Sequence, residues 1–330
     1  MNQHERNFSH LKVTALAGGV GGARLAYGLA QVIDPPEALS VIVNTGDDFS
    51  HLGMQISPDL DTVCYTLAGL NNAATGWGRK DETWQFMQQV REQGLPDWFN
   101  IGDQDCQVHL ERTRRLQAGE TLTQLTQSLC SRWGIRAAVL PMTDDSAPTI
   151  VDTVEHGRLG FQEYFVQHRC EPVVKGFIFS GHPAARPTRQ VMEAIHSADV
   201  IVFCPSNPWV SLDPILLLEG VREALQGKKI IGVSPIIGGK AVKGPAAKMY
   251  TELGITPSAV NVAAHYQDLL KGFVIDRVDE AQAEQITEMG ISCLYTDTLM
   301  LTPERQIEVA YGLLEFAQKI KDQQICLYGA

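Results

Sequence analysis

The chain has 330 residues, 44% of them apolar, and 27 Lys+Arg against 38 Asp+Glu give a formal charge of −11. That is a globular composition, long enough for two domains or for one elaborated α/β domain. The acidic balance, with no Lys/Arg block, argues against a nucleic-acid partner, whose phosphates need clustered cations. The seven cysteines, Cys64, Cys106, Cys130, Cys170, Cys204, Cys293 and Cys326, are odd in number and show no Cys-x-x-Cys spacing. Disulfide frameworks and structural zinc are therefore poor readings, and a reducing compartment fits. The polar start MNQHERNFSHLK lacks the apolar centre of a signal peptide, and no later apolar run approaches the roughly 18 residues that span a bilayer. A cytoplasmic protein without membrane contact is expected.

In chain order, seven short apolar runs have β character: Lys12–Ala17, Ser40–Asn44, Arg136–Pro141, Asp199–Cys204, Lys229–Ser234, Gly272–Asp276 and Ile291–Thr296. Helical segments separate them, which predicts an α/β fold: a Rossmann-like, mostly parallel sheet with helices on both faces. The runs at 200–204 and 230–234 are apolar without alternation, as strands at the sheet centre should be. Between Asp61 and Trp133 helical patterns predominate, notably Glu82–Arg91 and Thr121–Trp133, the second opening on a capping box of Thr121 and Gln124. The expected division is a nucleotide-diphosphate-binding core of residues 1–60 and 134–330, with a mainly helical insertion at 61–133. The irregular stretch Asp144–Arg186 reads as a small β-rich excursion.

The first strand runs into Gly18-Gly19-Val20-Gly21-Gly22-Ala23-Arg24, with Leu25–Val32 helical after it. Glycines at such a turn let backbone amides approach a phosphate, and the helix N-terminus favours its charge. The spacing is neither a Walker loop nor a full G-x-G-x-x-G. Arg24 adds a charge-assisted contact or is a solvated surface residue. The second strand ends in Asn44-Thr45-Gly46-Asp47-Asp48, and Pro58-Asp59-Leu60-Asp61 follows. Asp47, Asp48 and Asp61 at the carboxyl edge of the sheet are candidate Mg²⁺ ligands, with Asx-turn chemistry as the plainer alternative for any one of them. After the most strongly buried strand, Ser206 and Asn207 offer donors to a phosphate or nucleotide, and Ser211 or Asp213 would cap a helix starting near Asp213 or Pro214. Lys240 and Lys243, on a glycine-rich strand exit, read equally well as phosphate contacts or as solvated lysines. The nine histidines show no H-E-x-x-H spacing and no G-x-S-x-G elbow occurs, which disfavours zinc hydrolysis and serine-triad chemistry.

Nine segments in order, GGVGGARL, VNTGDDF, SPDLDTVCYTLAG, GWG and DETW, WFNIGDQD, LPMTDD, CPSNPWVSLDPIL, VSPIIGGKAVKGPAAK and YTDTLM, resemble the 2-phospho-L-lactate transferase family of coenzyme F420 biosynthesis, from about Val13 to Met300. The resemblance implies a Mg²⁺-dependent enzyme that joins a guanosine-diphosphate-activated three-carbon acid to Fo, the deazaflavin riboflavin analogue, releasing GMP. It implies that Gly18, Gly19, Gly21, Gly22, Arg24, Asn44, Thr45, Ser206, Asn207 and Ser211 hold the nucleotide diphosphate. Asp48 and Asp61 would be catalytic, with Asp61 and Asn100 beside Fo. A guanylyltransferase supplying the donor and a homodimeric state are implied as well. Val20 and Arg24 stand where archaeal members carry Thr and Lys, so the chain resembles the bacterial branch, whose donor group is usually phosphoenolpyruvyl. Asn100 stands where relatives often have a basic contact to Fo. Trp77, Trp84, Trp98 and Phe99 are either a wall for a planar deazaflavin or core residues. A nucleotide- or nucleotide-sugar-binding regulator of the same fold is the alternative.

Overall fold

The computed structural model describes residues 8–181, 184–320 and 327–329. The first half runs β1 (Val13–Ala17), α1 (Gly19–Val32), β2 (Leu39–Val43), β3 (Phe49–His51), β4 (Met54–Ile56), α2 (Pro58–Leu67), α3 (Gln85–Glu92), α4 (Asp103–Gln117) and α5 (Leu122–Arg132). Then come β5 (Ala138–Pro141), β6 (Thr149–Thr153), β7 (Gly157–Gly160), β8 (Val174–Phe179), α6 (Arg189–Ser197), β9 (Val200–Phe203), α7 (Asp213–Leu216), α8 (Val221–Leu225) and β10 (Ile230–Val233). The chain continues through β11 (Ile236–Ile237), β12 (Lys240–Ala241), α9 (Ala246–Glu252), α10 (Ala259–His265), β13 (Gly272–Asp276), α11 (Ala283–Glu288), β14 (Ser292–Thr296), α12 (Pro303–Lys319) and β15 (Leu327–Gly329).

Eight strands form one sheet in the order β15, β14, β13, β10, β9, β1, β2, β5, with every neighbouring pair parallel. All seven expected strands are in it. Alternation along each strand divides the core into two layers. Leu16, Ile42, Leu140, Ile201 and Phe203 pack on the face covered by α6 to α11. Ala15, Ala17, Val41, Val43, Val200 and Val202 face α1, α2 and α12. At Gly28 the α1 backbone approaches α12 so closely that a Cβ would lie 2.0 Å from the Gln306 carbonyl oxygen. From β1 the chain proceeds to β2 and β5 on one side, while β9, β10 and β13 build the other. The order therefore reverses between β1 and β9, and the carboxyl ends of those two strands flank the crevice where open α/β sheets bind ligands.

The stretch after residue 144 does form a small antiparallel sheet, β7, β6, β8. The capping box of α5 is present: Thr121 Oγ1 accepts from the Gln124 amide (3.2 Å) and Gln124 Oε1 from the Thr121 amide (3.0 Å). Two helix starts differ from expectation. α1 begins at Gly19 and not at Leu25, because packing overrides the poor helix propensity of its glycines. α3 begins at Gln85 and not at Glu82, because Glu82 caps the neighbouring helix: its carboxylate accepts from the amides of Gln104 (2.8 Å) and Asp105 (2.9 Å) at the start of α4. Asp103 reciprocates, accepting from the amides of Gln85 (3.1 Å) and Phe86 (2.9 Å) and from the Thr83 hydroxyl. Gly102 belongs to this mutual clamp, since a Cβ there would collide with the Glu82 carboxyl group. Among the described residues no disulfide forms, and Cys326 lies outside them.

Candidate active site

The exits of β1 and β9 are tied together. The Gly18 amide donates to Ser206 Oγ (3.1 Å), and that hydroxyl donates to the Gly18 carbonyl (2.8 Å). Gly19, at φ +61°, donates its amide to Asp59 Oδ1 (2.7 Å). The glycines of this turn are required first by protein packing. A Cβ at Gly18 would lie 2.6 Å from Ser211 Cβ, at Gly21 2.3 Å from the Pro205 carbonyl oxygen, and at Gly22 2.9 Å from Ser206 Oγ. The next amides of α1, those of Val20 and Gly21, belong to the first turn, where no intrahelical acceptor exists, and they meet the positive end of the helix dipole. Arg24 is half-buried, and burial lowers its pKa. Lys243 is lowered by burial and then by the Arg24 charge, and its ammonium donates to the Thr75 carbonyl. Two cations thus stand beside the start of α1, with the Lys243 side chain exposed, as Lys240 is.

The helix cap expected at Ser211 or Asp213 is provided elsewhere. Asn207 Oδ1 accepts from the Trp209 amide (3.1 Å) and caps the turn at 208–212, while Asp213 accepts from His265 Nε2 (2.9 and 3.1 Å). Asn207 reaches the Trp209 amide because Pro208 already fixes the first position of that turn.

The carboxylates converge on the same rim. Asn44 is fully buried, and its side-chain amide donates to Asp47 Oδ1 (3.0 Å), Asp59 Oδ2 (2.9 Å) and the Val210 carbonyl (3.1 Å). Its own carbonyl accepts from the Gly46 amide (2.8 Å), so Asn44 organises the loop with every polar atom committed. Thr45 is buried beside it, its hydroxyl without a partner among the described residues. Asp47 Oδ2 accepts from Gln162 (3.3 Å), which engages both Asp47 oxygens. Asp48 Oδ2 accepts from Ser57 Oγ (2.7 Å) and Asp61 Oδ1 from Arg112. Among the described residues, Asp48 Oδ1 and Asp61 Oδ2 are buried and without a hydrogen-bond partner. Burial pushes Asp47 well above the usual carboxylate range, with the Asp59 charge adding to it, pushes Asp48 up likewise, and raises Asp59 to about 6. Two acidic side chains enter from the first turn of α2, which Pro58 opens and whose dipole favours Asp59 and Asp61 there.

Behind Asp61 stands α4. Arg112 is buried, donating to Asp61, to His109 Nδ1 (3.1 Å) and to the Gln55 carbonyl (3.3 Å). Burial works against its charge, and the attraction of Asp61 outweighs that and raises its pKa. Asp105 Oδ1 accepts from the Tyr65 hydroxyl (2.6 Å). Asp61, Asp105 and His109 have ligand atoms within 4.8 Å of one another. Arg112, His109, Gln162, Ser57 and Asp59 carried no assignment from sequence. For Asp59 the signal was its place beside Asp61 after Pro58, whereas Arg112 gave none.

Asn100 lies outside this network, exposed and accepting from Arg91 (2.8 Å). Trp98 and Phe99 join Phe49 and His51 in an aromatic cluster, with ring centroids 4.8 Å apart for His51 and Trp98 and 4.9 Å for Phe49 and Phe99. Trp77 and Trp84 are exposed. In the Asp144 turn, Asp144 Oδ1 accepts from the Thr123 amide (2.8 Å) and Asp145 Oδ2 from the Arg186 amide (2.9 Å), so both aspartates cap protein amides. Among the described residues no helix is long and apolar enough to cross a membrane.

Carboxylates gathered at the switch point of a parallel sheet, beside the amide-rich start of a helix, stand where Rossmann-like α/β proteins bind their ligands. The sequence model of the 2-phospho-L-lactate transferase CofD matches residues 13–307, and the chain belongs to that family of transferases. It is 41% identical over 318 residues to a phosphoenolpyruvate transferase of Kitasatospora aureofaciens, covering 94% of this chain and 99% of that one. It is 39% identical to the phosphoenolpyruvate transferase of Thermobifida fusca, covering 95% and 100%. In fold it is similar to a upf0052 family protein from Bacillus halodurans, with a TM-score of 0.61, 16% identity and coverage of 92% and 99%.

Proposed function

We propose that this chain joins a guanosine-diphosphate-activated three-carbon acid to the terminal ribityl hydroxyl of Fo, forming the phosphodiester of coenzyme F420 biosynthesis and releasing GMP. The donor group is phosphoenolpyruvyl, in keeping with the names of its relatives. The observation that carries the reading is the pair of buried carboxylate oxygens without partners among the described residues, Asp48 Oδ1 and Asp61 Oδ2, at the rim where α1 begins.

Unsatisfied buried anionic oxygens are costly unless a cation meets them, so this donor set fits Mg²⁺. Asp48 and Asp61 would hold it, and when bound it supplies charge neutralisation for the diphosphate and departing GMP. Asp47, with both oxygens engaged, supports the loop instead. The Val20 and Gly21 amides, with Arg24 and Lys243 beside them, bind the diphosphate. Ser206 fixes the Gly18 turn that aims those amides. Rate enhancement comes chiefly from holding hydroxyl, phosphorus and leaving oxygen in line. The ribityl hydroxyl gives up its proton as the new P–O bond forms, and the ionised carboxylates of the rim are the acceptors at hand.

The test is a mass-spectrometric assay with Fo, GTP, Mg²⁺, a guanylyltransferase and, in separate reactions, phosphoenolpyruvate, 2-phospholactate or 3-phosphoglycerate. The dehydro product mass should appear with phosphoenolpyruvate. No product with any acid, together with unchanged Fo fluorescence on adding the protein, would overturn the transferase reading in favour of a nucleotide-binding regulator.

A further inference from the structure

Arg112 is 2% exposed, yet it lies on a helix whose sequence is mostly polar. A guanidinium has donors and no acceptor, so its contact to His109 Nδ1 makes that nitrogen the acceptor. The proton of the neutral ring is then on Nε2, 3.7 Å from Asp105 Oδ2. Neither ring nitrogen is left to a metal. Asp61 Oδ2 is 3.6 Å from His109 Nδ1, beyond hydrogen-bond reach, and it is the one buried oxygen of the group left without a hydrogen-bond partner among the described residues. Asp105 is drawn to Tyr65 on its other oxygen. The mutual caps of α3 and α4 fix the start of the helix that carries Asp105, His109 and Arg112.

We propose that Arg112 is a positioning residue with two tasks: it clamps Asp61 Oδ1 so that Oδ2 faces the cation, and it engages Asp61 and His109 together, which with Asp105 would otherwise capture the metal. This rests on the reading of Asp48 and Asp61 as the metal-holding pair. Removing the guanidinium vacates a mixed nitrogen and oxygen ligand set of the kind that suits Mn²⁺ or Zn²⁺. The metal would then sit behind the reaction centre and draw Asp61 away from it.

Mn²⁺ is the probe, read by electron spin echo modulation, which detects a directly bound ¹⁴N. The wild-type protein should show oxygen ligands only, and a coordinated nitrogen there would overturn the proposal. Arg112→Met should acquire a nitrogen coupling while kcat falls by about 10²-fold and KM for Fo changes little. A folded Arg112→Met that binds Mn²⁺ through oxygen alone would also overturn it. Arg112→Lys keeps the charge without the fork, so it should stay free of nitrogen coupling and recover part of kcat. Full activity in Arg112→Lys overturns the clamp, even if Arg112→Met fails to fold. A wild-type protein that takes up no Mn²⁺, beside an Arg112→Met that does so through nitrogen, would sink the Asp48 and Asp61 metal reading and leave the blocking role of Arg112 standing.

Discussion

Asp59 carries a titration that tests how the rim carboxylates are held. Burial raises its pKa from 3.8 to about 6 against the opposing hydrogen bonds from Asn44 and Gly19. The gap between 6 and 3.8, at about 1.36 kcal/mol per pH unit, costs the metal-free fold about 3 kcal/mol at neutral pH. The folded chain holds this proton more tightly than the unfolded chain does. The contribution is therefore fully present below about pH 4 and is lost as pH rises through about 6. Between pH 4.5 and 7.5 the loss is about 2 kcal/mol, worth about 3 °C in Tm for a chain of this length. Asp59→Asn keeps an acceptor for the Gly19 amide and abolishes the titration. Calorimetry of metal-free wild type and variant should show the Tm difference shifting by that amount in favour of the variant from pH 4.5 to 7.5. The Asp59 charge also raises Asp47, so its removal relieves Asp47 as well and adds to the shift in the same direction. Parallel pH profiles would refute a burial-raised Asp59.

Asp48→Asn and Asp61→Asn should each lower turnover about 10²-fold or more, and near-normal rates in both would remove the assignment. Asp48→Asn should at the same time raise the Tm of the metal-free protein at pH 7.5, because burial penalises the charge that it removes. Gly28→Val puts side-chain atoms into the Gln306 carbonyl, so thermal unfolding should show a loss of about 1–3 kcal/mol. Glu82→Ala leaves the amides of Gln104 and Asp105 unpaired at a cost of about 1–2 kcal/mol, visible as faster hydrogen exchange confined to the start of α4.

The sheet was legible because burial on both faces leaves runs such as 200–203 and 230–233 with no polar position, a pattern that helices of this length do not share. The starts of α1 and α3 were less so. Glycine propensity concealed the first turn of α1, and Glu82 looks like a helix opener in sequence while its carboxylate serves a helix more than 20 residues away. α4 escaped notice for a related reason. Residues 103–117 present little apolar surface, and the side chains that anchor them include a buried arginine and histidine, which hydrophobic periodicity does not register.

The same asymmetry governs the site. Aspartates that follow strands or open helices stand out, because the carboxyl ends of parallel strands and the positive ends of helices are where negative charge is favoured. That logic points to Asp47, Asp48 and Asp61 alike, and it cannot rank them. The ranking comes from their partners: Asn44 and Gln162 take up both oxygens of Asp47, Ser57 takes one of Asp48, and Arg112 takes one of Asp61. Two of these four partners, Arg112 and Gln162, lie 51 and 115 residues away in sequence, and a spacing rule sees neither. In the proposed reaction the oxygens left over, one on Asp48 and one on Asp61, are the ones a cation would meet, and which oxygens those are follows from the donors already engaged with the others.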